Sequence, residues 1–197
     1  MVSRISVLCG AVWACSGQGA DTAGEGALPV AEQQYFIGNS IWSSPEGEPV
    51  GEDGWVWLRR ALHPSTSRVY EDLVSIDGSG NMSHYRVEFV VEEASFWGSF
   101  VQDGATIRVE GVLEGDDWNW LGWSATGTYV DGDMAGYYFR STANLNEAGL
   151  SMDKRIYDAD DRYLLNIVES LSMVDASVWD AEVSALGIDL SNEFTKR

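Results

Sequence analysis

A chain of 197 residues, 45% hydrophobic and 12% aromatic, has the length of one ordinary domain and enough apolar content for a sizeable core, which excludes a disordered or low-complexity protein. Its 31 acidic residues stand against ten arginines and two lysines, Lys154 and Lys196, for a net charge of −19. That charge repels a phosphate backbone, so no nucleic acid is expected as a partner, and the acids are spread over turns and alternate positions as a solvated exterior.

The chain opens on Met-Val-Ser-Arg and an apolar run from Ile5 to Ala14, too short to cross a bilayer and shaped like a secretory signal. Val12-Trp13-Ala14-Cys15 resembles the lipobox of bacterial lipoproteins. The resemblance implies a signal over 1–14, cleavage before Cys15 and lipidation of Cys15 as the new first residue. Because Ser16 follows the cysteine, it also implies sorting to the outer membrane of the cell envelope, facing the periplasm. The alternative is an ordinary cleaved signal with an incidental cysteine. Cys9 leaves with the signal, so no internal disulfide is expected. After the lipidated cysteine, 15–34 is Gly, Ala and acidic residues with few large apolar groups. It reads as a flexible tether to a β-barrel domain over 35–190.

Tyr35 to Trp42 has the pattern of a first strand, and Ser43 to Gly54, with two prolines and three glycines, is a loop. Gly54 to His63 and Arg68 to Asp77 follow as strands around Pro64–Ser67. Residues whose numbers sum to 131 then face each other, Arg60 with Glu71 and Arg59 with Asp72. Both faces of this hairpin are partly apolar, so the pattern leaves open which arginine points inward.

From Ser83 the phase is plain. Tyr85, Val87, Phe89 and Val91 alternate with His84, Arg86, Glu88 and Val90, which puts the odd face inside. A loop over Glu92–Ser95 carries the inside to Phe96, Gly98 and Phe100, and an Asp103-Gly104 turn carries it to Ile107, Val109, Gly111 and Leu113. Glu114 to Asp117 then reads as a turn, and Asp117 to Asp133, with three of the nine tryptophans, as one long strand with Trp118, Trp120, Gly122, Ser124 and Thr126 inward. Asp131-Gly132 passes the inside to Tyr137, Phe139, Ser141, Ala143 and Leu145. Asn146–Gly149 passes it to Leu150, Met152, Lys154 and Ile156. Asp158–Asp161 leads to Tyr163, Leu165, Ile167, Glu169 and Leu171.

Asp175 reads as an N-cap, with Val178, Trp179, Val183 and Leu186 on one helical face and Gly187 as a stop; the helix covers an open end or a flank. About ten strands in unbroken up-and-down order resemble the lipocalin-like domains of the calycin group, whose antiparallel barrels often enclose a small apolar ligand. The resemblance covers Tyr35 to Gly187. It implies an all-β fold, an antiparallel meander closing into a barrel with a short C-terminal helix; a flat or sandwiched meander with a filled core is the alternative.

No catalytic motif emerges. Gly122-Trp-Ser124-Ala-Thr-Gly127 lacks both the spacing and the strand-to-helix turn of a nucleophile elbow. His63 lies beside a proline turn and His84 on the polar phase of its strand, and the carboxylates bunched at Asp116-Asp117, Asp131-Gly-Asp133 and Asp158-Ala-Asp160-Asp161 have the character of acidic turns. Neither a metal nor a cofactor is expected. Lys154 does stand out as a cation on the inward phase. Its row runs Phe89, Gly98, Val109, Gly122, Ser141, Lys154, with Trp120 and Ala143 on one side and Ser124 and Phe139 on the other. Trp118, Trp120, Ser124, Phe139, Ser141, Lys154 and Glu169 are therefore the candidate ligand-binding residues, an aromatic-walled space with an ammonium that suits an apolar body and an acidic head. In the structural reading Lys154 instead pairs with Glu169 on the next strand or reaches the barrel mouth along its own stem.

Three functions are compatible with this pattern. One is a lipid-anchored barrel that binds a small hydrophobic or amphipathic ligand. Another is an enzyme of isomerase, cyclase or hydratase type, with Lys154, Glu169 or an inward arginine moving protons. The third is a structural or interaction lipoprotein with a filled core. Lipidation predicts that the protein sediments with membranes and is released by detergent, and that Cys15→Ala moves it to the soluble fraction; equal membrane retention of the variant would rule out Cys15 as the anchor.

Overall fold

A computed structural model of the chain describes residues 32–63, 68–102, 105–119 and 122–188. Ten strands run as one antiparallel meander: β1 (Glu32–Ser43), β2 (Gly54–His63), β3 (Arg68–Ile76), β4 (Met82–Glu92), β5 (Ser95–Gln102), β6 (Ala105–Asn119), β7 (Gly122–Tyr129), β8 (Tyr138–Asn146), β9 (Gly149–Tyr157) and β10 (Tyr163–Met173). The last strand pairs with the first, from Phe36 opposite Met173 to Ser43 opposite Asn166, so the sheet is a closed barrel. Closure gives every strand two neighbours and leaves no edge to pair with another chain.

The expected registers hold over most of the meander. Arg60 faces Glu71 and Arg59 faces Asp72, Val91 faces Phe96, and Gln102 faces Ala105 across the Asp103-Gly104 dipeptide. The hairpin left open by its pattern is decided in favour of Arg60, which lies inside with Phe36, Leu58 and Leu73, while Arg59 lies on the outer wall. From β8 onward the inward set is the expected one, with Phe139, Ser141, Leu145, Leu150, Met152, Lys154, Ile156, Leu165, Ile167, Glu169 and Leu171 all buried, except that a register irregularity between Tyr163 and Leu165 puts Tyr163, expected inward, beside Tyr157 on the outer wall. The Asp158 carboxylate holds its turn together by accepting the backbone N–H groups of Asp160 and Arg162, each at 2.9 Å, and the Arg162 guanidinium at 2.7 Å.

The middle of the chain departs from the expectation. Asp117 to Asp133 is not one strand: β6 runs through Gly115-Asp116 to Asn119, and Asn119 faces Gly122 at the start of β7. The register slips between Glu114 and Asn119, and Val109, Gly111 and Leu113 face Tyr129, Gly127 and Ala125. The inward phase of β7 is therefore Trp123, Ala125, Gly127 and Tyr129, the opposite of the expected one, and Ser124 and Thr126 face outward, where the Thr126 hydroxyl donates to Glu114. A one-residue change of phase flips every side chain of a strand. Burying Trp123 and Tyr129 removes far more apolar surface from water than burying Ser124 and Thr126 would. Asp131-Gly132, expected as a two-residue turn, belongs to a longer loop over 130–137 in which Gly132 and Gly136 take positive φ, and Ala125 rather than Gly122 comes to face Ser141.

Small residues of the inner wall do not leave space over themselves. A Cβ on Gly98 would stand 2.3 Å from the Phe89 ring, one on Gly111 2.6 Å from Phe96, and one on Gly127 2.4 Å from Phe139 and 2.9 Å from Phe96. The phenylalanines lie on the glycines, and Phe89 and Phe96 meet edge to face with centroids 6.1 Å apart.

The helix, α1 (Ala176–Ala185), packs on the outer flank of the barrel rather than across an end. Trp179 and Val183, one turn apart, are buried with Trp57 and Val74 of the outer wall, beside Tyr35, Ile37 and Ile76. Val178, expected on the buried face, is exposed, because the contact is a narrow stripe along 179, 183 and 186. Asp175 occupies the N-cap position without a side-chain capping bond, and Gly187 ends the helix at φ +73°. The ring-on-glycine packing predicts that Gly127→Leu lowers stability by roughly 1–3 kcal/mol or more in equilibrium urea unfolding, since Phe139 and Phe96 must leave their rotamers; unchanged stability would mean that the rings do not occupy that space.

Candidate binding site in the barrel interior

Each strand sends alternate residues inward, so the polar ones among them are forced together in a space with little water. Arg60 of β2 and Glu71 of β3 are cross-strand neighbours on the inner face, and the Arg60 Nε donates to Glu71 Oε1 at 2.9 Å with both side chains fully withdrawn from water. Arg60 also donates to Gln34 of β1 at 3.4 Å and lies 5.5 Å from the Phe36 ring centroid. Lys154 of β9 faces Ser141 of β8 and is 1% exposed, with its ammonium 4.5 Å from the centroid of Phe139 and 5.8 Å from that of Tyr129. Glu169 of β10 faces Ser40 of β1, and both are buried. The interior thus has an aromatic part, where Phe89, Phe96 and Phe139 fill the space over glycines, and a polar part made by Arg60, Glu71, Lys154, Glu169, Ser40 and Ser141. Lys154 sits at their boundary.

Burial acts on these groups against ionisation. It pushes the Glu71 carboxyl up to about 7, against the charge and hydrogen bond of Arg60 and the charge of Lys154, which favour its ionised form. It pushes Arg60 down, opposed by Glu71. It pushes Glu169 up to about 8. Among the described residues, Glu71 Oε2 and Ser141 Oγ find no hydrogen-bond partner, so a carboxylate oxygen and a hydroxyl in the polar part hold capacity for a further group.

Of the residues expected to bind a ligand, Phe139, Ser141, Lys154 and Glu169 come together inside. Ser124 does not, because β7 takes the opposite phase. Trp118 lies on β6 with its side chain outside what is described, and Trp120 lies outside the described residues. Trp123 and Tyr129 take the places that the expected register gave to other residues; the alternation of Trp123, Ala125, Gly127 and Tyr129 with Ser124, Thr126 and Thr128 was the signal for them. Arg60 and Glu71 belong to the site as well, and only the unresolved phase of their hairpin had kept them out.

A second polar cluster lies outside the barrel. The Asp72 carboxylate accepts from Arg59 Nη2 at 2.6 Å and His84 Nε2 at 3.2 Å, and forms an ion pair with Arg86 at 3.4 Å. Burial pushes this carboxyl up, but the bonds from His84 and Arg59 and the Arg59 charge outweigh it and hold it below the usual range. The Arg59 guanidinium also lies 5.3 Å from the Trp179 ring centroid, so this cluster ties β2, β3 and β4 to α1.

Comparison with protein-family models, curated proteins and solved structures finds no match. The interior itself makes a thermodynamic prediction. Glu169 holds its proton more tightly folded than unfolded, so between the ordinary value of 4.5 and about 8 the folded chain keeps a proton that the unfolded chain has released, and stability falls as pH rises through that window. Glu169→Gln removes the effect. Its stability relative to the unaltered protein should therefore improve between about pH 5 and about pH 9, by an amount on the order of a few kcal/mol, read from thermal unfolding at the two values. A difference that does not change with pH would mean that Glu169 does not titrate in this window.

Proposed function

We propose that this chain is a lipid-anchored protein of the bacterial envelope, held at the outer membrane through Cys15 and facing the periplasm, whose barrel binds a small amphipathic molecule with an apolar body and an acidic head. The observation that carries the reading is the set of ionisable side chains sunk in the barrel interior, Arg60, Glu71, Lys154 and Glu169, with hydrogen-bonding capacity left at Glu71 Oε2 and Ser141 Oγ. A buried ion pair is often no more stabilising than apolar residues of the same volume, and ionisable groups in such positions are characteristic of functional sites. Lys154 and Arg60 offer charge to an acidic head, and the Ser141 hydroxyl offers a donor. Phe36, Phe139, Tyr129, Trp123 and Met152 supply apolar surface to a chain or ring. The lipobox-like Val12-Trp13-Ala14-Cys15 and the tether after it support the anchored location.

A second reading, an interaction lipoprotein with a filled core, draws on the phenylalanine rings that occupy the space over Gly98, Gly111 and Gly127. The two are separated by titrating the protein with decanoate and with 1-decanol while following tryptophan fluorescence, for which Trp123, on the inner face of β7, is a reporter. Decanoate should bind more tightly than the alcohol. Lys154→Met, which keeps length and removes charge, should abolish that preference and retain alcohol binding. Absence of binding by either compound would leave the filled-core reading in its place, and an unchanged acid preference in the methionine variant would remove Lys154 from the site.

A further inference from the structure

The outer wall carries an apolar surface that the helix does not cover. α1 lies on Trp57 of β2 and Val74 of β3, and its last apolar residues, Leu186 and Ile188, pack against the same cluster. One row nearer the barrel rim the seat continues without the helix. Trp55, two residues before Trp57, faces Ile76, two after Val74, and Ile76 faces Met82 at the start of β4. Ile41 of β1 is the diagonal neighbour of Trp55 on the same wall. Trp55 is 55% exposed, Met82 50% and Ile41 41%, and the Trp55 and Trp57 ring centroids lie 6.4 Å apart. A lone exposed apolar residue is ordinary, but a contiguous set in line with an occupied seat is the mark of an interaction surface.

Charge decides what can cover it. The two connections that bound this surface, 44–53 and 77–81, carry Glu46, Glu48, Glu52, Asp53 and Asp77, all of them exposed, with no basic residue among them. They meet where Gly78 packs against Glu52. α1 adds Asp180 and Glu182 and also has no basic residue. A second copy, itself at −19, would bring acidic rim against acidic rim, and an anionic lipid surface would be repelled in the same way. A segment with basic flanks is attracted instead. Its form follows from the neighbouring seat, where the same β2–β3 wall receives a helix through the narrow stripe of Trp179, Val183 and Leu186. We propose that this surface seats an amphipathic helix of another protein in line with α1, its apolar side chains over Trp55, Ile76 and Met82 and its lysines or arginines beside Glu52, Asp53 and Asp77. Trp55 is the anchor, since a large ring that loses its water at the centre of an interface carries a large share of the binding energy. The proposal does not depend on the barrel interior.

The test takes the full chain with Cys15→Ala, so that no lipid anchor contributes. The probe in isothermal titration is a synthetic amphipathic helix of leucine and lysine, and the control is its leucine–glutamate counterpart. The lysine helix should bind and the glutamate helix, with the same apolar face, should not. Trp55→Ser, at a side chain already open to water, should keep the melting temperature and weaken lysine-helix binding by roughly tenfold or more. Trp97→Ser removes a comparably exposed tryptophan from β5, 44% open, and should leave binding unchanged. Glu52→Lys with Asp53→Lys, which alters charge without touching the apolar set, should also weaken it. If Trp55→Ser binds the lysine helix as the unaltered chain does, or if both serine variants lose affinity alike, net charge alone holds the probe and the proposal is wrong. It is also wrong if the chain sediments as a dimer that Trp55→Ser breaks, or if phosphatidylglycerol vesicles bind it through Trp55. Tighter probe binding by a chain ending at Ile188 would overturn it as well, because residues 189–197 would then be the occupant.

Discussion

When β10 hydrogen-bonds to β1, the inward side of all ten strands loses bulk water together, and that closure governs the chemistry of the whole protein. In an open sheet, Lys154 or Arg60 could reach solvent along its stem. In a closed one, each inward charge needs a partner inside or must lose its charge. The same closure turns the period of two into a sorting device. On the β2–β3 hairpin, two successive cross-strand pairs of like chemistry meet different fates: Arg60–Glu71 is sealed within, and Arg59–Asp72 becomes the outer seam under α1.

The interior that results is uneven. Where glycines line the wall, phenylalanine rings lie on them and the space is apolar and dense. Where Ser40 and Ser141 line it, charged groups gather and some hydrogen-bonding capacity is left over. Lys154 bridges the two, with its ammonium over the Phe139 ring and its charge felt by Glu71. A molecule with an oily end and an acidic end would match both parts at once, which is why the interior, rather than any surface feature, supports the binding proposal.

The outer wall is organised differently. Asp72 of β3 gathers Arg59 from β2 and His84 and Arg86 from β4, and Arg59 carries that cluster onto Trp179 of α1. Farther round, Tyr138, Tyr157 and Tyr163 line up across β8, β9 and β10, with the first two rings stacked at 4.8 Å and Arg140 beside them. These cross-strand contacts need no closed space, because they gain from side-chain packing on a wall still washed by water.

Much of this was determined by the sequence alone. Ten strands, their order, the inward phase of β4, β5, β8, β9 and β10, and the juxtaposition of Lys154 with Ser141 all follow from period-two alternation between recognisable turns, since turn length and pattern agree there on one register. Three matters were left to the tertiary structure. The phase of β2 and β3 was undecided because both faces of that hairpin are buried, one by the barrel core and one by α1, so both are apolar and alternation carries no information. The turn between β6 and β7 was misplaced because Glu114 to Asp117 has turn chemistry yet lies inside a long strand, and only the energy of burying Trp123 and Tyr129 selects the opposite phase. The effect of the Lys154 charge on Glu71 was invisible for a third reason. Those residues lie on strands far apart in the meander, and only the curvature of a closed sheet turns them toward one another.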